Sequence, residues 1–93
     1  MTNKFLVHAK EDYVGVATED LKKDESVEGT FLDDNGKNSL KVLEEIPLGH
    51  KIALRDIKKG EKIIEYKEQI GVATKDIRKG EHVHIHNIKT TRW

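Results

Sequence analysis

Ala53-Leu54-Arg55-Asp56-Ile57-Lys58-Lys59-Gly60-Glu61-Lys62-Ile63 and Ala73-Thr74-Lys75-Asp76-Ile77-Arg78-Lys79-Gly80-Glu81-His82-Val83 are two copies of one pattern. Ala17-Thr18-Glu19-Asp20-Leu21-Lys22-Lys23-Asp24-Glu25-Ser26-Val27 is a third. The pattern runs Ala, two variable residues, Asp, an aliphatic, two basic residues, Gly or Asp, Glu, a variable residue and an aliphatic. Each position has a physical use. A strand ends near Ala. The Asp carboxylate accepts a backbone hydrogen bond and opens a turn. The aliphatic after it plugs into the core. Gly60 and Gly80 take positive φ at little steric cost, and Asp24 is among the residue types that tolerate it best. The last aliphatic starts the next strand. The copies are too irregularly spaced for a solenoid, so they read as related corners of one β domain spanning residues 1–93.

The flanking segments agree. Tyr13-Val14-Gly15-Val16-Ala17, Ser39-Leu40-Lys41-Val42-Leu43, His50-Lys51-Ile52-Ala53-Leu54, Lys62-Ile63-Ile64-Glu65-Tyr66 and His82-Val83-His84-Ile85-His86 all read as strands. Asn35-Gly36 suits a type I′ hairpin turn. Pro47 falls between strands, where its missing N–H costs least. Leu43-Glu44-Glu45-Ile46 is compatible with a strand or a short helix.

Composition narrows the function. Lys+Arg and Asp+Glu both number 17, leaving no basic excess to draw a phosphate backbone. The aromatic content of 5% leaves few rings to stack on bases, which argues against nucleic acid as partner. No apolar run reaches the roughly 18 residues of a membrane span. There is no cysteine, hence no disulfide, thiol nucleophile or thiolate metal site. The expectation is a soluble cytoplasmic protein. With 93 residues the core must be thin, and zero net charge disfavours solubility of a free monomer. Both favour assembly with a partner or with further copies of the chain.

The histidines carry the chemistry. In a strand, His82, His84 and His86 share one face while Val83 and Ile85 share the core face. Same-face neighbours lie about 7 Å apart. Two such imidazoles reach one ion through bonds of about 2 Å, whereas three in a row do not. His84 and His86 are therefore the candidate metal pair, with the remaining ligands supplied from elsewhere, and His82 is left without a role. Asn87 is placed to orient a substrate hydroxyl or carboxylate. His50 and Lys51 follow Gly49, and such a turn can hold an anionic carboxylate with the imidazole as proton shuttle. Set against these readings, alternating histidines also occur on half-exposed strand faces, and His8 and His50 suit ordinary solvated turns. No phosphate loop, nucleophile elbow or His-Glu-x-x-His helix is present.

Gly49-His50-Lys51-Ile52-Ala53-Leu54, the Asp56-Ile57-Lys58-Lys59-Gly60 turn, Ile70-Gly71-Val72-Ala73 and Gly80-Glu81-His82-Val83-His84-Ile85-His86-Asn87 together resemble the SAF domain of altronate and galactarate dehydratases. The resemblance covers nearly the whole chain. The ending Lys89-Thr90-Thr91-Arg92-Trp93 and the opening Phe5-Leu6-Val7-His8-Ala9-Lys10 look like those of small subunits such as that of sulfolactate sulfo-lyase. Lys67-Glu68 departs from the Gly-Glu frequent in relatives. The resemblance implies a mostly β, β-clip fold with short irregular strands and little helix. It implies a lyase removing water or sulfite from a hydroxy acid, with a divalent metal such as iron and a separate large catalytic subunit. It puts His50, His84, His86 and Asn87 at or near the active site. A non-catalytic carbohydrate- or partner-binding module of the same fold is the competing expectation.

Overall fold

The computed structural model describes residues 3–90, so Thr91-Arg92-Trp93 lie outside the described residues. Nine short strands form two sheets, with no helix among the described residues. The larger sheet contains β1 (Asn3–Val7), β2 (Val14–Ala17), β3 (Ser26–Phe31), β4 (Lys37–Lys41), β5 (Lys51–Ala53) and β8 (His82–Val83). Their order is β4-β3-β1-β2-β5-β8, with β1 and β3 parallel and the other pairs antiparallel. The smaller sheet is antiparallel and runs β6 (Lys62–Glu65), β7 (Glu68–Ala73), β9 (Ile88–Thr90). The mostly β fold expected of a β-clip domain is thus present.

The corner pattern occurs four times, once more than the sequence shows. Residues 45–50 form the extra copy, with the same turn geometry as 20–25, 56–61 and 76–81. In each, one residue takes positive φ: Asp24 at 71°, Gly49 at 85°, Gly60 at 86° and Gly80 at 94°. In each, the next residue donates its N–H to the carbonyl three residues back: Glu25 to Lys22, His50 to Pro47, Glu61 to Lys58 and Glu81 to Arg78. The open alternative at 43–46 resolves without a helix, because Ile46 bridges Leu21.

The corners interlock in pairs. Ile57 and Ile77 exchange backbone hydrogen bonds, both at 2.7 Å, and Leu21 and Ile46 do the same at 2.8 and 2.9 Å. Asp56 accepts from the Lys79 N–H and Asp76 from the Lys59 N–H, each at 2.9 Å. Each pair seeds one apolar cluster. Leu21, Ile46, Val27 and Ile52 pack with Phe5, Val7 and Val42, while Ile57, Ile77, Ile63 and Val83 pack with Val14, Ala53 and Ala73. The aliphatics of the pattern are buried because each corner turns them inward.

Two turns differ from expectation. β3 and β4 are joined by a longer loop in which Asn35 alone takes positive φ, so Asn35-Gly36 is not a two-residue type I′ turn. The Asp34 carboxylate bonds the Gly36 N–H at 2.8 Å and holds the loop in that form. Consecutive positive φ values occur instead at Tyr66 (53°) and Lys67 (65°), between β6 and β7. The buried Asp12 accepts the Tyr66 N–H at 2.8 Å and stabilises this turn. A glycine at the Lys67 position would take that backbone with less strain.

Candidate functional site

The four histidines of residues 50–86 gather at one end of the larger sheet, and corner chemistry explains how. In the three evident copies the final Glu carboxylate accepts the N–H of the residue three back: Glu25 from Lys22, Glu61 from Lys58, Glu81 from Arg78. In the corner at 45–50 the residue three back is Pro47, which has no N–H to satisfy. Position 50 needs no carboxylate, and His50 takes it. β5 follows and pairs with β8 in the register Lys51↔Val83 and Ile52↔His82, which sets His82 beside His50.

β8 ends at Val83, two residues in, and this corrects the strand expected over 82–86. Residues 84–87 form a turn closed by the Asn87 and Ile88 N–H groups on the His84 carbonyl. The alternation holds for Val83, which is buried, and fails for Ile85, which is 83% exposed and not part of the core. Asn87 is buried and fully engaged. Its Oδ1 accepts the His84 N–H at 2.9 Å and its Nδ2 donates to the His82 carbonyl at 2.7 Å. Its side chain fixes the turn through one bond at each polar atom.

The turn stacks the imidazoles in a way a flat strand would not. His50 Nδ1 and His82 Nε2 are 2.9 Å apart. The His50 and His84 rings stack at 4.3 Å between centroids, His82 and His84 at 5.5 Å, and His82 and His86 meet at 5.2 Å. His82, left without a role by strand spacing, is the hub. Burial holds its imidazole below the ordinary range, and the neighbouring His86, His50 and His84 push it the same way, so it is neutral near pH 7.

Glu44 completes the cluster and was missed in the sequence. The Leu43 N–H bonds the Gly80 carbonyl at 2.9 Å, which lays residues 41–44 against the corner at 76–81. A Cβ on Gly80 would come within 2.2 Å of the Lys41 carbonyl, so only glycine permits this approach. Glu44 then accepts the His82 N–H at 2.8 Å. Two sets could each hold a cation, with ligand atoms within 4.8 Å of one another: His50, His82 and His84, and Glu44, His82 and His86. The expected pair His84 and His86 is split between them, with His82 common to both sets. Lys51 lines a shallow depression with His50, His84 and Ile85, and its ammonium lies 3.7 Å from Glu65. His8 stands apart, packed against Tyr66 at 5.4 Å.

Comparison with known proteins identifies the family. The family model for the altronate/galactarate dehydratase SAF domain matches residues 3–91. The chain is 40% identical to the (2R)-sulfolactate sulfo-lyase subunit alpha of Chromohalobacter salexigens along the whole of both chains. It is 47% identical to the subunit of the same name from Paracoccus pantotrophus over 64% of this chain and 90% of that one. It is 40% identical to the altronate dehydratase of Bacillus subtilis over 92% of this chain but only 16% of that enzyme. The chain belongs to the SAF-domain family of the altronate and galactarate dehydratases, and it is a lyase component.

Proposed function

We propose that the chain is the cytoplasmic small subunit of a hydroxy-acid lyase that eliminates sulfite from sulfolactate or water from a sugar acid, working with a large catalytic subunit. The observation that carries the reading is the packing of His50, His82, His84 and His86 around one hub, with Glu44 beside it. Elimination takes a proton from one carbon and expels a group from its neighbour. A neutral imidazole suits the first task and an imidazolium the second. His50 and His84, stacked and open to the depression, are the groups we assign to proton transfer. Lys51, on the same wall, pairs with the substrate's carboxylate.

The donor atoms fit a divalent cation. Glu44, His82 and His86 form a set of two imidazoles and one carboxylate, a composition that suits ferrous iron and leaves coordination positions open. The carboxylate offsets part of a dication's charge, which three neutral imidazoles do not, and this favours the Glu44 set over His50, His82 and His84. Such an ion, when bound, polarises the substrate's carboxylate and departing oxygen. His84, expected as a ligand, is reassigned to proton transfer, and His86 keeps its place as a ligand.

The test is the complex of tagged chain and large subunit, assayed for sulfite release from sulfolactate and for consumption of altronate. His84→Ala should cut turnover by about a hundredfold or more while bound iron is retained. Glu44→Ala and His86→Ala should lose iron as well as turnover. Retained iron in both of these variants, with loss in His50→Ala, would move the ion to the imidazole set. Full turnover by the His82→Ala complex would take the histidine cluster out of the site, and a wild-type complex without turnover on either acid would sink the lyase reading.

A further inference from the structure

Two exposed aliphatics, Ile85 and Leu48, sit in the turns that carry the histidine cluster. Ile85 is 83% exposed, more than any other large hydrophobic residue of the described chain. It lies between His84 and His86 and lines the depression shared with His50. Leu48 is 61% exposed and precedes Gly49, which lines the same depression. An exposed aliphatic on a mobile loop is ordinary, but Ile85 is held still. The turn that presents it is closed by two backbone hydrogen bonds to the His84 carbonyl and clamped by both polar atoms of the buried Asn87. The ordering entropy that usually opposes burial of a loop side chain is therefore largely met before any partner arrives.

The neighbouring sheet edge is closed to strand addition. β8 is the last strand of the larger sheet. The His82 N–H is taken by Glu44 and the His82 carbonyl by Asn87. A partner at this edge has side chains to grip, not a free backbone ladder.

We infer that Ile85 and Leu48 are the anchors on which the large catalytic subunit of the lyase docks, closing over the histidine cluster so that the active site lies at the subunit junction. This rests on the reading of the cluster as part of a lyase site. The occupant follows from the family. In the altronate dehydratase of Bacillus subtilis the matching region is 16% of the chain, so most of that enzyme lies outside the SAF domain. A catalytic body of that size needs access to the imidazoles, and the two exposed aliphatics belong to the same turns as His50, His84 and His86. Covering the cluster also removes water from around His50 and His84, which strengthens their electrostatic action on a bound anion.

The experiment measures binding of the purified chain to the companion of subunit alpha in the Chromohalobacter salexigens sulfo-lyase by titration calorimetry, with sedimentation of the chain alone alongside. Ile85→Asp and Leu48→Asp should each weaken the complex by about tenfold or more. Their melting temperatures should stay at the wild-type value, because neither side chain is in the core. His84→Ala should bind as wild type and lose turnover. Wild-type affinity in both Asp variants would overturn the docking surface and leave the lyase reading intact. A wild-type chain that fails to bind the companion would overturn it, and one that self-associates through Ile85 would assign the surface to a second copy. A wild-type complex that forms but neither releases sulfite from sulfolactate nor consumes altronate would overturn the lyase reading and leave the docking result standing.

Discussion

The corner pair at 56–61 and 76–81 keeps the repeat intact, whereas the pair at 20–25 and 45–50 has one member rewritten. In the intact pair both corners have Asp, Ile, two basic residues, Gly and Glu, and their carboxylates answer each other's backbone N–H groups across the pair. In the other, residues 45–50 read Glu-Ile-Pro-Leu-Gly-His. The backbone is unchanged, since Ile46 still bridges Leu21 and Gly49 still takes positive φ. Pro47 deletes a donor, Leu48 faces out and His50 replaces the capping Glu. The difference teaches that this fold tolerates rewriting of a corner as long as the buried aliphatic and the positive-φ residue remain. The rewritten corner contributes His50 to the histidine cluster.

The largest expected effect comes from the aliphatic both pairs share. Ile57→Ala should lower stability to urea by about 2–5 kcal/mol, because a fully buried side chain leaves a cavity behind. Ile85→Ala should stay within about 0.5 kcal/mol of wild type, as an exposed site does. Equal losses in the two variants would mean that Ile85 packs inward, and the turn at 84–87 would have to be redrawn as strand.

A smaller effect separates the intact corner from the rewritten one. Glu61→Ala leaves the Lys58 N–H without its carboxylate and should cost about 0.5–1 kcal/mol. His50→Ala should cost less than about 0.5 kcal/mol, since Pro47 has nothing to be capped. Urea midpoints of the two variants decide it. If His50→Ala proved the more damaging, the imidazole would be a structural replacement for the Glu and the contrast between the corners would fail.

Much of the fold is legible in the sequence. Three of the corners announce themselves through Asp, the aliphatic and Lys-Gly-Glu, and their buried aliphatics follow. The corner at 45–50 is hidden because its polar positions were exchanged, and polar positions are what the eye aligns. The histidine site is legible as composition but not as geometry. Strand period places His84 and His86 together, yet Asn87 draws the chain into a turn three residues long in reach, which no period reveals. Glu44 could not be found from its neighbours at all. It reaches His82 only because Gly80 lets residues 41–44 lie flat against a corner more than thirty positions away, a contact set by tertiary packing.

The smallest effect is a dependence on pH, and it probes the histidine cluster where the two kinds of corner meet. His82 is held below the ordinary imidazole range, first by burial and then by its imidazole neighbours. Between that lowered value and about 6.5, the unfolded chain carries a proton on this residue and the folded chain does not. Acid therefore favours unfolding in that window. Stability should be level above about pH 7.5, decline as pH falls through 6.5, and level off again once folded His82 also protonates. The slope is shallow because the ring is only half-buried. Glu25 is held below the ordinary carboxylate range by Lys4 and by the Lys22 N–H, so its contribution is lost only in more acid solution and does not overlap. Unfolding by urea at pH 7.5, 6.5 and 5.5 in the presence of a chelator measures the slope, about one pH unit apart at each step. His82→Gln should flatten it, and Glu61→Gln, in the intact pair, should leave it as it is. An unchanged slope in His82→Gln would show that the cluster does not desolvate its hub, and the rewritten corner would then differ from the intact one in shape only.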